Sequence, residues 1–508
     1  MYYKRQSEFI SSLYNVYFSN YELNIKIDLL DKIFDEYKKF GEHSEDFEEI
    51  FFNLNNSLRQ NNKEITHKNN IDNKFILENN GKLLSIEYLL NKKVKIDLLN
   101  NSPHVTPVLL VAKDKNNFFC KYCGNKTQNL FFSYNNSFKK NITYCKKCAT
   151  NLTNDNLTYH FSLNFPIKSC VQNLTFPNKL LSTEQKKISK QILNSTINGE
   201  KSLVWAVCGA GKTEIIYETL IHLLNKNKIV CVAIPRKDIV NELANRIKND
   251  FNMNVNIITG DDKQFTNSNL YIMTTHQLIY YYKFFDLIIV DEVDAFPYNG
   301  NDVLEYSPLK SLKENSPLVF LSATPSKKIQ KSVDNIFKLP IRYHKHLLPV
   351  PKVYKSKFKD KIVLKFIDSS LKNNRRVLIF VPKIDMLKEV VDFLKNYYNK
   401  IDCVSSIDPK RKEKISNMYT KKLDILVTTT ILERGVTFDY LDVIVLEADH
   451  SHFTKEALIQ ISGRVGRKDY DPQGTIIFCS NKKNKAIKSA IKEIKYMNAL
   501  AKHKKLCR

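Results

Sequence analysis

The sequence has no apolar run of about 18 residues, so it lacks a transmembrane helix. Its first residues lack the apolar core and cleavage site of a secretory signal, and its cysteines do not show the spacing of a disulfide framework. Hydrophobic (43%), charged (26%) and aromatic (11%) contents are ordinary for globular proteins, which excludes a wholly disordered, collagenous or disulfide-knotted chain. We therefore expect a cytosolic protein, and 508 residues allow about three domains.

Acidic residues are few relative to basic residues beyond the first 100 positions. The chain has 79 basic and 53 acidic residues, a formal net charge of +26. Residues 1–100 hold 14 basic and 16 acidic side chains, so residues 101–508 carry a surplus of 28 positive charges. Such a local surplus favours a polyanionic partner, because phosphate neutralisation releases condensed counterions. The alternative interpretation, which the many Asn and Lys runs leave open, is that the surplus is a Lys-rich surface produced by a compositionally biased genome.

Apolar periodicity divides the chain into five predicted regions. Residues 1–60 have helical spacing, and the Asn- and Lys-rich residues 61–82 are predicted to form a linker. Near-continuous apolar strands that alternate with helices then predict an α/β fold, with parallel sheets covered on both faces. The predicted regions are a mostly helical N-terminal region (1–100), a small four-cysteine zinc module (101–165), a first lobe (166–345), a second lobe (346–480) and a basic C-terminal helix (481–508).

A strand–loop–helix segment in the first lobe predicts a nucleotide-binding site. Glycines at 209 and 211 allow the backbone to turn its N–H groups toward phosphates. Lys212 places a cation against the phosphate oxygens, and the Thr213 hydroxyl can ligate Mg²⁺. The predicted ATP-binding residues of this loop are Ala206, Val207, Cys208, Gly209, Ala210, Gly211, Lys212 and Thr213.

An acidic pair follows a second predicted buried strand, Leu287–Val290, as the other half of such a site requires. Asp291 is predicted to hold Mg²⁺, and Glu292 to orient or deprotonate the attacking water. Further along, Arg464 and Arg467 belong to the predicted second lobe, where an arginine can stabilise charge on the γ-phosphate. The site would then close only when the two lobes meet, which couples ATP hydrolysis to lobe movement.

Taken together, these motifs resemble the superfamily 2 helicases, whose two tandem RecA-like lobes are the fold that we expect. More narrowly, the strings DEVDAFPY (291–298) and TTTILERGVTF (428–438), with four cysteines before the motor, resemble the ComFA competence proteins of Gram-positive bacteria. The resemblance covers roughly residues 105–480. It implies an ATPase that is stimulated by single-stranded DNA and helps to bring transforming DNA into the cytosol.

The resemblance also implies roles for residues outside the phosphate-binding loop. Gln185 is similar to an adenine-sensing glutamine, and Arg464 and Arg467 are similar to an arginine-finger pair. Thr437 stands where many relatives have an aspartate near the ribose, which puts that contact in doubt. Ser322 and Thr324 resemble a segment that links hydrolysis to strand movement. The residues that fall where such motors touch the nucleic-acid backbone are Pro235, Arg236, Thr275, Thr429 and Gly435.

Two CxxC pairs predict a structural Zn²⁺ site. The four predicted ligands are Cys120, Cys123, Cys145 and Cys148. Each CxxC turn directs two sulfurs to one point, and four protein ligands leave no open position for a catalytic water. Iron–sulfur ligation is the rival interpretation, and a redox CxxC would not require a second pair.

Lysines and aromatic residues surround these cysteines, a mixture that suits single-stranded DNA through phosphate attraction and base stacking. For Phe131 and Phe132, filling a very small core is an equally good interpretation.

The C-terminal stretch 481–508 holds ten basic residues and one glutamate, and its apolar residues have helical spacing. This helix either packs on its own lobe or contacts DNA, anionic lipid or a partner protein.

The sequence therefore predicts an ATP-dependent single-stranded DNA translocase of natural competence. Its expected cofactors are ATP, Mg²⁺ and Zn²⁺, and its expected partners are single-stranded DNA and other DNA-uptake proteins. We expect it in the cytoplasm, peripheral at the inner face of the membrane, with its oligomeric state left open. The alternatives are a PriA-like replication-restart helicase, another superfamily 2 motor, or a DNA-binding scaffold without motor activity.

Overall fold

The computed structural model describes residues 72–92, 94, 102–115, 117–135, 141–148, 155–156, 159–167, 173–482 and 484–507, with residues 13, 30, 31, 34, 35, 51 and 52. The predicted helices of residues 1–60 therefore lie almost wholly outside the described residues. The chain forms two compact units. The first comprises Met1–Leu174, Leu223–Val290 and Phe296–Leu318, and the second comprises Thr175–His222, Asp291–Ala295 and Val319–Arg508.

Helices and strands alternate along most of the described chain. The helices are α1 (Asn73–Asn79), α2 (Ile86–Asn91), α3 (Thr183–Ile197), α4 (Tyr217–Leu224), α5 (Lys237–Phe251), α6 (Asp302–Ser311), α7 (Lys327–Lys331), α8 (Lys361–Lys372), α9 (Asp385–Lys395), α10 (Arg411–Tyr419), α11 (Lys455–Ser462) and α12 (Lys485–His503). The strands are β1 (Leu83–Ser85), β2 (Val105–Leu109), β3 (Val111–Asp114), β4 (Asn117–Cys120), β5 (Phe131–Asn135), β6 (Asn141–Cys145), β7 (Tyr159–Leu163), β8 (Lys201–Ala206), β9 (Val230–Ile234), β10 (Asn256–Ile258), β11 (Lys263–Gln264), β12 (Leu270–Thr274), β13 (Leu287–Val290), β14 (Leu318–Ser322), β15 (Asn335–Leu339), β16 (Lys352–Tyr354), β17 (Arg376–Phe380), β18 (Ile401–Val404), β19 (Ile425–Thr428), β20 (Leu441–Val445) and β21 (Ile476–Cys479).

The cysteine module in the first unit is built from short antiparallel pairs. Strands β3 and β4 pair with each other, as do β5 and β6, and β4 and β6 end at Cys120 and Cys145. A separate three-stranded sheet has the order β1-β7-β2. Because Leu83 pairs with Ser162 in this sheet, the predicted boundary between residues 100 and 101 does not coincide with a break in the sheet.

The first unit also contains strands β11-β10-β12-β9-β13, in this spatial order. Strands β10, β12, β9 and β13 pair in parallel, and every residue of these four strands is buried. Their side chains are mostly β-branched or leucine, which is the pattern of a sheet covered on both faces. The carboxyl ends of two of these strands, β9 and β12, lead into Pro235 and Thr275, which the sequence analysis predicts to contact nucleic acid.

The second unit holds strands β14-β8-β15 and a six-stranded sheet of order β16-β21-β20-β17-β19-β18. Every neighbouring pair of the six-stranded sheet is parallel. Its core contains the buried Ile379, Val427 and Ile444 of the central strands and Val390 and Leu394 of α9. Burial of these apolar faces is the main source of stability for such a lobe, at about 25 cal/mol per Å². The strands confirm the predicted two RecA-like lobes.

The structure differs from the sequence-based expectation around residues 73–92. The predicted linker 61–82 was wrong for its last part, where α1 begins with an Asp72 carboxylate that accepts a hydrogen bond from the N–H of Lys74. An N-cap of this kind offsets the poor helix propensity of asparagine-rich sequence. At the other end, α12 forms as predicted and buries Ile487, Ile494 and Met497.

Candidate nucleotide, nucleic-acid and metal sites

The predicted phosphate-binding loop follows β8 in the second unit and adopts the required backbone. Gly209 and Gly211 have φ of 80° and 78°, a region that L side chains rarely adopt. A Cβ on Gly211 would lie 2.4 Å from the Nε2 of Gln185, so only glycine fits there. Gln185 itself belongs to a capping box with Ser182, and its Nε2 donates to the carbonyl of Ala210 at 2.9 Å. Gln185 thus supports the loop directly.

Lys212 lies beside the acidic motif. Its Nζ is 3.3 Å from the Oδ1 of Asp291, and both side chains are largely buried. Burial lowers the pKa of Lys212, but the carboxylates of Asp291 and Glu292 outweigh it and raise the pKa overall. The ammonium is therefore fully charged at neutral pH. The Thr213 hydroxyl makes no capping bond to the turn Glu214–Ile216, so capping does not occupy it.

A buried network centres on Asp294, the last acid of the DEVD string. Ser322 and Thr324 donate their hydroxyls to its two carboxylate oxygens at 2.6 and 2.8 Å. Gln460 donates its side-chain amide to Asp294 at 3.1 Å, and the Nη2 of Arg434 lies 2.6 Å from the same oxygen. Although burial opposes ionisation, Arg434 and Lys212 hold the pKa of Asp294 well below its usual range. One carboxylate therefore joins four separate motifs of the second unit.

Arg434 and Asp294 are residues to which the sequence analysis assigned no role. Arg434 is buried, and its Nη1 also lies 3.1 Å from the Oε2 of Glu292. Burial lowers the pKa of Arg434, but Asp294 and Glu292 raise it well above the usual value. The signal was present in the sequence, since an arginine inside an apolar turn next to a glutamate needs buried partners.

The two arginines of the GRVGR string have different surroundings. Arg464 is buried and donates all three of its guanidinium nitrogens to backbone carbonyls of Glu433 and Val436. Burial and the nearby Arg467 lower its pKa. Arg467 is less buried and donates to the Thr437 hydroxyl at 3.2 Å. In this structure Arg464 therefore holds the segment Glu433–Val436 in place, whereas Arg467 contacts Thr437.

The phosphate-binding loop and the arginine segment touch within the second unit. The Cys208 thiol donates to the side-chain carbonyl of Gln460 at 3.1 Å. A Cβ on Gly463 would lie 2.4 Å from the Cβ of Cys208, so this position also requires glycine. The residues predicted for ATP binding and for the arginine fingers are thereby brought together.

The residues predicted to touch nucleic acid lie at strand ends in both units. In the first unit, Arg236 is the residue before α5 and is partly exposed, whereas Pro235 and Thr275 are buried. In the second unit, Thr429 precedes a short 3-10 turn, and Gly435 is exposed with a φ of 80°. The Thr275 hydroxyl is buried without a hydrogen-bond partner, so its side chain needs a local rearrangement to reach a phosphate.

The four cysteines form one buried cluster in the first unit. Their sulfurs all lie within 4.8 Å of one another, and two of the pairs, Cys120–Cys148 and Cys123–Cys145, are 3.6 Å apart. A tetrahedral ion with Zn–S bonds of about 2.3 Å needs sulfur separations of about 3.8 Å. Asn125 donates its side-chain amide to the Cys145 sulfur at 3.5 Å, the kind of outer contact that orients a metal ligand. The donor set fits a single four-coordinate ion.

Strand alternation gives the paired phenylalanines opposite environments. Phe131 packs against the cysteine cluster, whereas Phe132 is 44% exposed and lies under the ammonium of Lys146 at 5.0 Å. Lys126 lies 5.6 Å from the ring centroid of Phe119 in a similar arrangement. Phe131 therefore helps to fill the small core of the module. Exposed aromatic and basic groups lie on the opposite face of the module. Lys139 and Lys140, two of the lysines that surround the cysteines in the sequence, lie outside the described residues.

Helix α6 packs against the cysteine module. Its N-terminal Asp302 forms an ion pair with Lys147 at 2.7 Å, and Val303 contacts the cysteine cluster. A Cβ on Gly124 would lie 2.5 Å from the ring of Tyr306, one turn along. Residues 302, 303, 306 and 310 recur at about one helical turn, so the contacts that they make lie on one face of α6.

The same helix contacts the turn Thr275–Tyr280, which contains the predicted nucleic-acid residue Thr275. The Lys310 ammonium lies 4.2 Å from the ring centroid of Tyr122, which is between two cysteines, and donates to the carbonyl of Ile279. Ser311 donates its hydroxyl to the carbonyl of Leu278 at 2.9 Å. Helix α6 thus joins the cysteine module to this turn inside the first unit.

Among the described residues, no helix combines the length and apolar character that a bilayer span requires.

Three family models match successive parts of the chain. The competence protein ComFA N-terminal domain matches residues 69–151, the DEAD/DEAH box helicase domain residues 184–332, and the helicase conserved C-terminal domain residues 358–469. The chain is 36% identical over 423 residues to competence protein ComFA of Bacillus subtilis, covering 78% of this chain and 89% of that protein. It is also 36% identical over 406 residues to ComFA of Streptococcus pneumoniae, covering 76% of this chain and 92% of that protein.

Among solved structures, the chain is similar to the yeast (S. cerevisiae) Dbp5 protein bound to RNA and ADP BeF3, with a TM-score of 0.46 and 15% identity. The match covers 62% of this chain and 91% of that chain.

Proposed function

Because this chain belongs to the ComFA family of competence proteins, we propose that it is an ATP hydrolase that moves single-stranded DNA during natural transformation. Membership establishes a competence-associated, ATP-dependent protein of the helicase family. The proposal adds ATP hydrolysis by this chain, single-stranded DNA as the track, and uptake of that strand as the purpose.

The observation that carries the motor proposal is the network around Asp294. A protein that only binds DNA has no need for a buried carboxylate that joins the acidic motif, Ser322 and Thr324, Arg434 and Gln460. Burial of this carboxylate and its partners costs desolvation free energy. The network has a function in a motor, where the charge or position of one of these residues changes when nucleotide binds. We therefore favour a working motor over a DNA-binding scaffold.

Each residue near the loop has a chemical role in this proposal. Lys212 holds the phosphate oxygens, while Thr213 and Asp291 would hold Mg²⁺, which neutralises charge on the phosphates. Glu292 orients or deprotonates the attacking water. Arg467 has solvent access and stabilises charge on the leaving phosphate, and Arg464 keeps the preceding motif in place. Gln185 supports the loop and senses the base.

The proposed DNA surface combines the motif residues with the exposed face of the cysteine module. Phe132 and the aromatic residues beside it offer stacking platforms, and the surrounding lysines attract phosphates without base preference. In this proposal, the four thiolates hold Zn²⁺, which fixes the two CxxC turns and keeps those side chains in place. The protein acts in the cytoplasm, at the inner face of the membrane, together with other uptake proteins.

Phosphate release with and without DNA tests the proposal. The wild-type protein is expected to hydrolyse ATP slowly alone and several-fold faster with an oligo-dT strand, and less with duplex DNA or RNA. Lys212→Ala is expected to lose nearly all turnover and keep oligonucleotide affinity. The matched control is Lys226→Ala, which removes an exposed lysine beyond α4 and leaves the rate unchanged.

Three results would contradict the proposal. An unchanged rate in Lys212→Ala would show that the site is elsewhere, and a wild-type protein without turnover would favour the scaffold. In a transformable host, Lys212→Ala is expected to abolish recovery of transformants and leave growth normal. A growth or repair defect in place of that loss would favour a replication-restart helicase.

A further inference from the structure

Arg342 is a buried arginine to which neither the motifs nor the comparisons assign a role. It follows β15 in the second unit and is 1% exposed, which makes it the largest fully buried side chain of the described residues. None of the described carboxylates forms an ion pair with it. A buried cation without a buried anion needs an explanation.

Only part of the Arg342 guanidinium is used within the protein. Its Nη1 donates to the carbonyl of Gly466 at 2.5 Å, but its Nε and Nη2 have no hydrogen-bond partner. Two other buried arginines of this unit contrast with it, whereas Arg434, whose Nε and Nη1 also lack a hydrogen-bond partner, forms ion pairs with Glu292 and Asp294. Arg464 donates all of its guanidinium nitrogens to backbone carbonyls, and so does Arg376.

One of the unpaired nitrogens, the Nε, lies against the phosphate-binding loop. A Cβ on Gly209 would be 3.8 Å from the Cγ and 4.0 Å from the Nε of Arg342. The next residue, Tyr343, donates its N–H to the Gly209 carbonyl at 3.2 Å. On the other side, a Cβ on Gly466 would be 3.1 Å from the Arg342 Nη1. Arg342 therefore contacts both the loop and the residue before Arg467.

The charge of Arg342 persists despite its burial. Burial and the nearby Arg467 lower its pKa to about 10, so the guanidinium is still protonated at neutral pH. Two unpaired donors on a buried cation cost free energy in the folded protein, which an anion at the same place would recover.

We propose that Arg342 donates its free N–H groups to phosphate oxygens of the bound nucleoside triphosphate, as a third arginine of that site. This inference rests on the proposed ATPase function and deepens it. A nucleotide is favoured over the backbone of a nucleic acid because the Nε of Arg342 lies beside Gly209 of the phosphate-binding loop. Through its bond to Gly466, Arg342 also ties phosphate binding to the position of Arg467.

The test compares substitutions of two buried arginines, Arg342 and Arg376, which we expect to change stability and nucleotide affinity in opposite ways. Arg342→Met removes a charge whose donors are partly unpaired, and the neutral His344 still donates its Nε2 to the Gly466 carbonyl at 3.1 Å. Its thermal midpoint without nucleotide is therefore expected to equal or exceed that of the wild type. Arg376→Met removes an arginine whose donors are all used, so that control is expected to lose stability without nucleotide and to keep nucleotide affinity.

The decisive measurement is the binding of fluorescent ATP and ADP analogues with magnesium, alongside thermal midpoints with and without saturating nucleotide. Arg342→Met is expected to bind the ATP analogue about ten- to hundredfold more weakly, because it loses charge-assisted hydrogen bonds. Its midpoint then rises less with nucleotide than that of the wild type. Arg342→Lys, which keeps the charge but lacks the guanidinium fork, is expected to recover only part of the affinity.

Normal nucleotide affinity in Arg342→Met would overturn the inference, as would a destabilised protein with a normal nucleotide-induced shift. Weakened oligo-dT binding with normal nucleotide binding would also overturn it, by assigning Arg342 to the DNA. If the wild type binds nucleotide and Lys212→Ala loses it, the proposed function stands whatever Arg342 does. If the wild type binds no nucleotide, the proposed function fails first.

Discussion

The cysteine site and the nucleotide site are built in opposite ways. The cysteine site takes four identical ligands from two short turns, with sulfur pairs separated by 22 and 28 residues along the chain. The nucleotide site assembles unlike groups from segments as distant as Gln185 and Arg467. In the first site each turn presents its ligands by local geometry, and in the second every position depends on the packing of a sheet.

This difference predicts different responses to damage. Removal of the proposed Zn²⁺ would deprive the cysteine module of its main stabilising contact, because its core holds few apolar residues besides the cysteines. The nucleotide site stands on large buried sheets, so a single change there leaves the lobe folded and affects affinity or turnover. Because helix α6 contacts both the cysteine module and the turn Thr275–Tyr280, we expect unfolding of the module to affect that turn.

The largest effect is expected from Cys145→Ser. Zinc content is expected to fall from one ion per chain to none, and the module is expected to unfold locally, because structural zinc contributes about 10 kcal/mol or more in small domains. Mass spectrometry measures the metal, and hydrogen exchange measures the unfolding. We expect faster exchange in α6 and in Thr275–Tyr280, with unchanged exchange in α11. Iron with sulfide in the wild type would contradict the zinc assignment.

The next largest effect is expected from Asp294→Asn. This change leaves Arg434 buried with less compensation, which costs about 3–5 kcal/mol of unfolding free energy. Zinc content is expected to remain at the wild-type value, and DNA-stimulated turnover is expected to be lost. Urea unfolding and phosphate release measure these effects. The matched change is Asp261→Asn, whose carboxylate pairs with Lys237 on the surface and whose loss is expected to leave both measurements unaltered.

A smaller effect is expected from Gly124→Ala, which tests the contact between the module and α6. The new methyl group meets the ring of Tyr306 in a backbone conformation with φ of 73°, and we expect a loss of about 1–3 kcal/mol. Gly300→Ala is the control, since its φ of 84° adds the same strain but nothing lies within 4 Å. Equal losses in urea unfolding of the two variants would contradict a close contact with Tyr306.

The smallest effect concerns pH. Burial, with Arg342 and His346 nearby, lowers the pKa of His344 to about 4, and Asp469 acts weakly in the opposite direction. The unfolded chain binds a proton near pH 6.5 and the folded chain only near 4, so this group reduces stability as pH falls through that window. His344→Gln is expected to show a shallower decline of unfolding free energy between pH 7 and 4.5. An identical pH profile would mean that His344 is solvated.

Much of this organisation could be predicted without coordinates. The CxxC pairs, the phosphate-binding loop and the acidic string are local patterns, since each ligand or backbone turn depends on residues within a few positions. Two parallel lobes followed from apolar runs alternating with helices. Helix α1 was missed because its asparagines have poor helix propensity and its cap outweighs them.

Other features depended on partners that are distant in the sequence. The buried ion pairs of Arg434 and the contact of Tyr306 with Gly124 join residues that are far apart in the sequence, and no short sequence pattern relates them. Whether the nitrogens of Arg342 find partners also depends on how distant segments pack. The opposite environments of Phe131 and Phe132 required the register of β5 against β6. The sequence by itself determined which chemical groups this protein carries, because spacing within one turn or strand is enough for that. Only the tertiary structure decided which buried charges face each other and which remain free for a ligand, because burial and pairing depend on how separate segments pack.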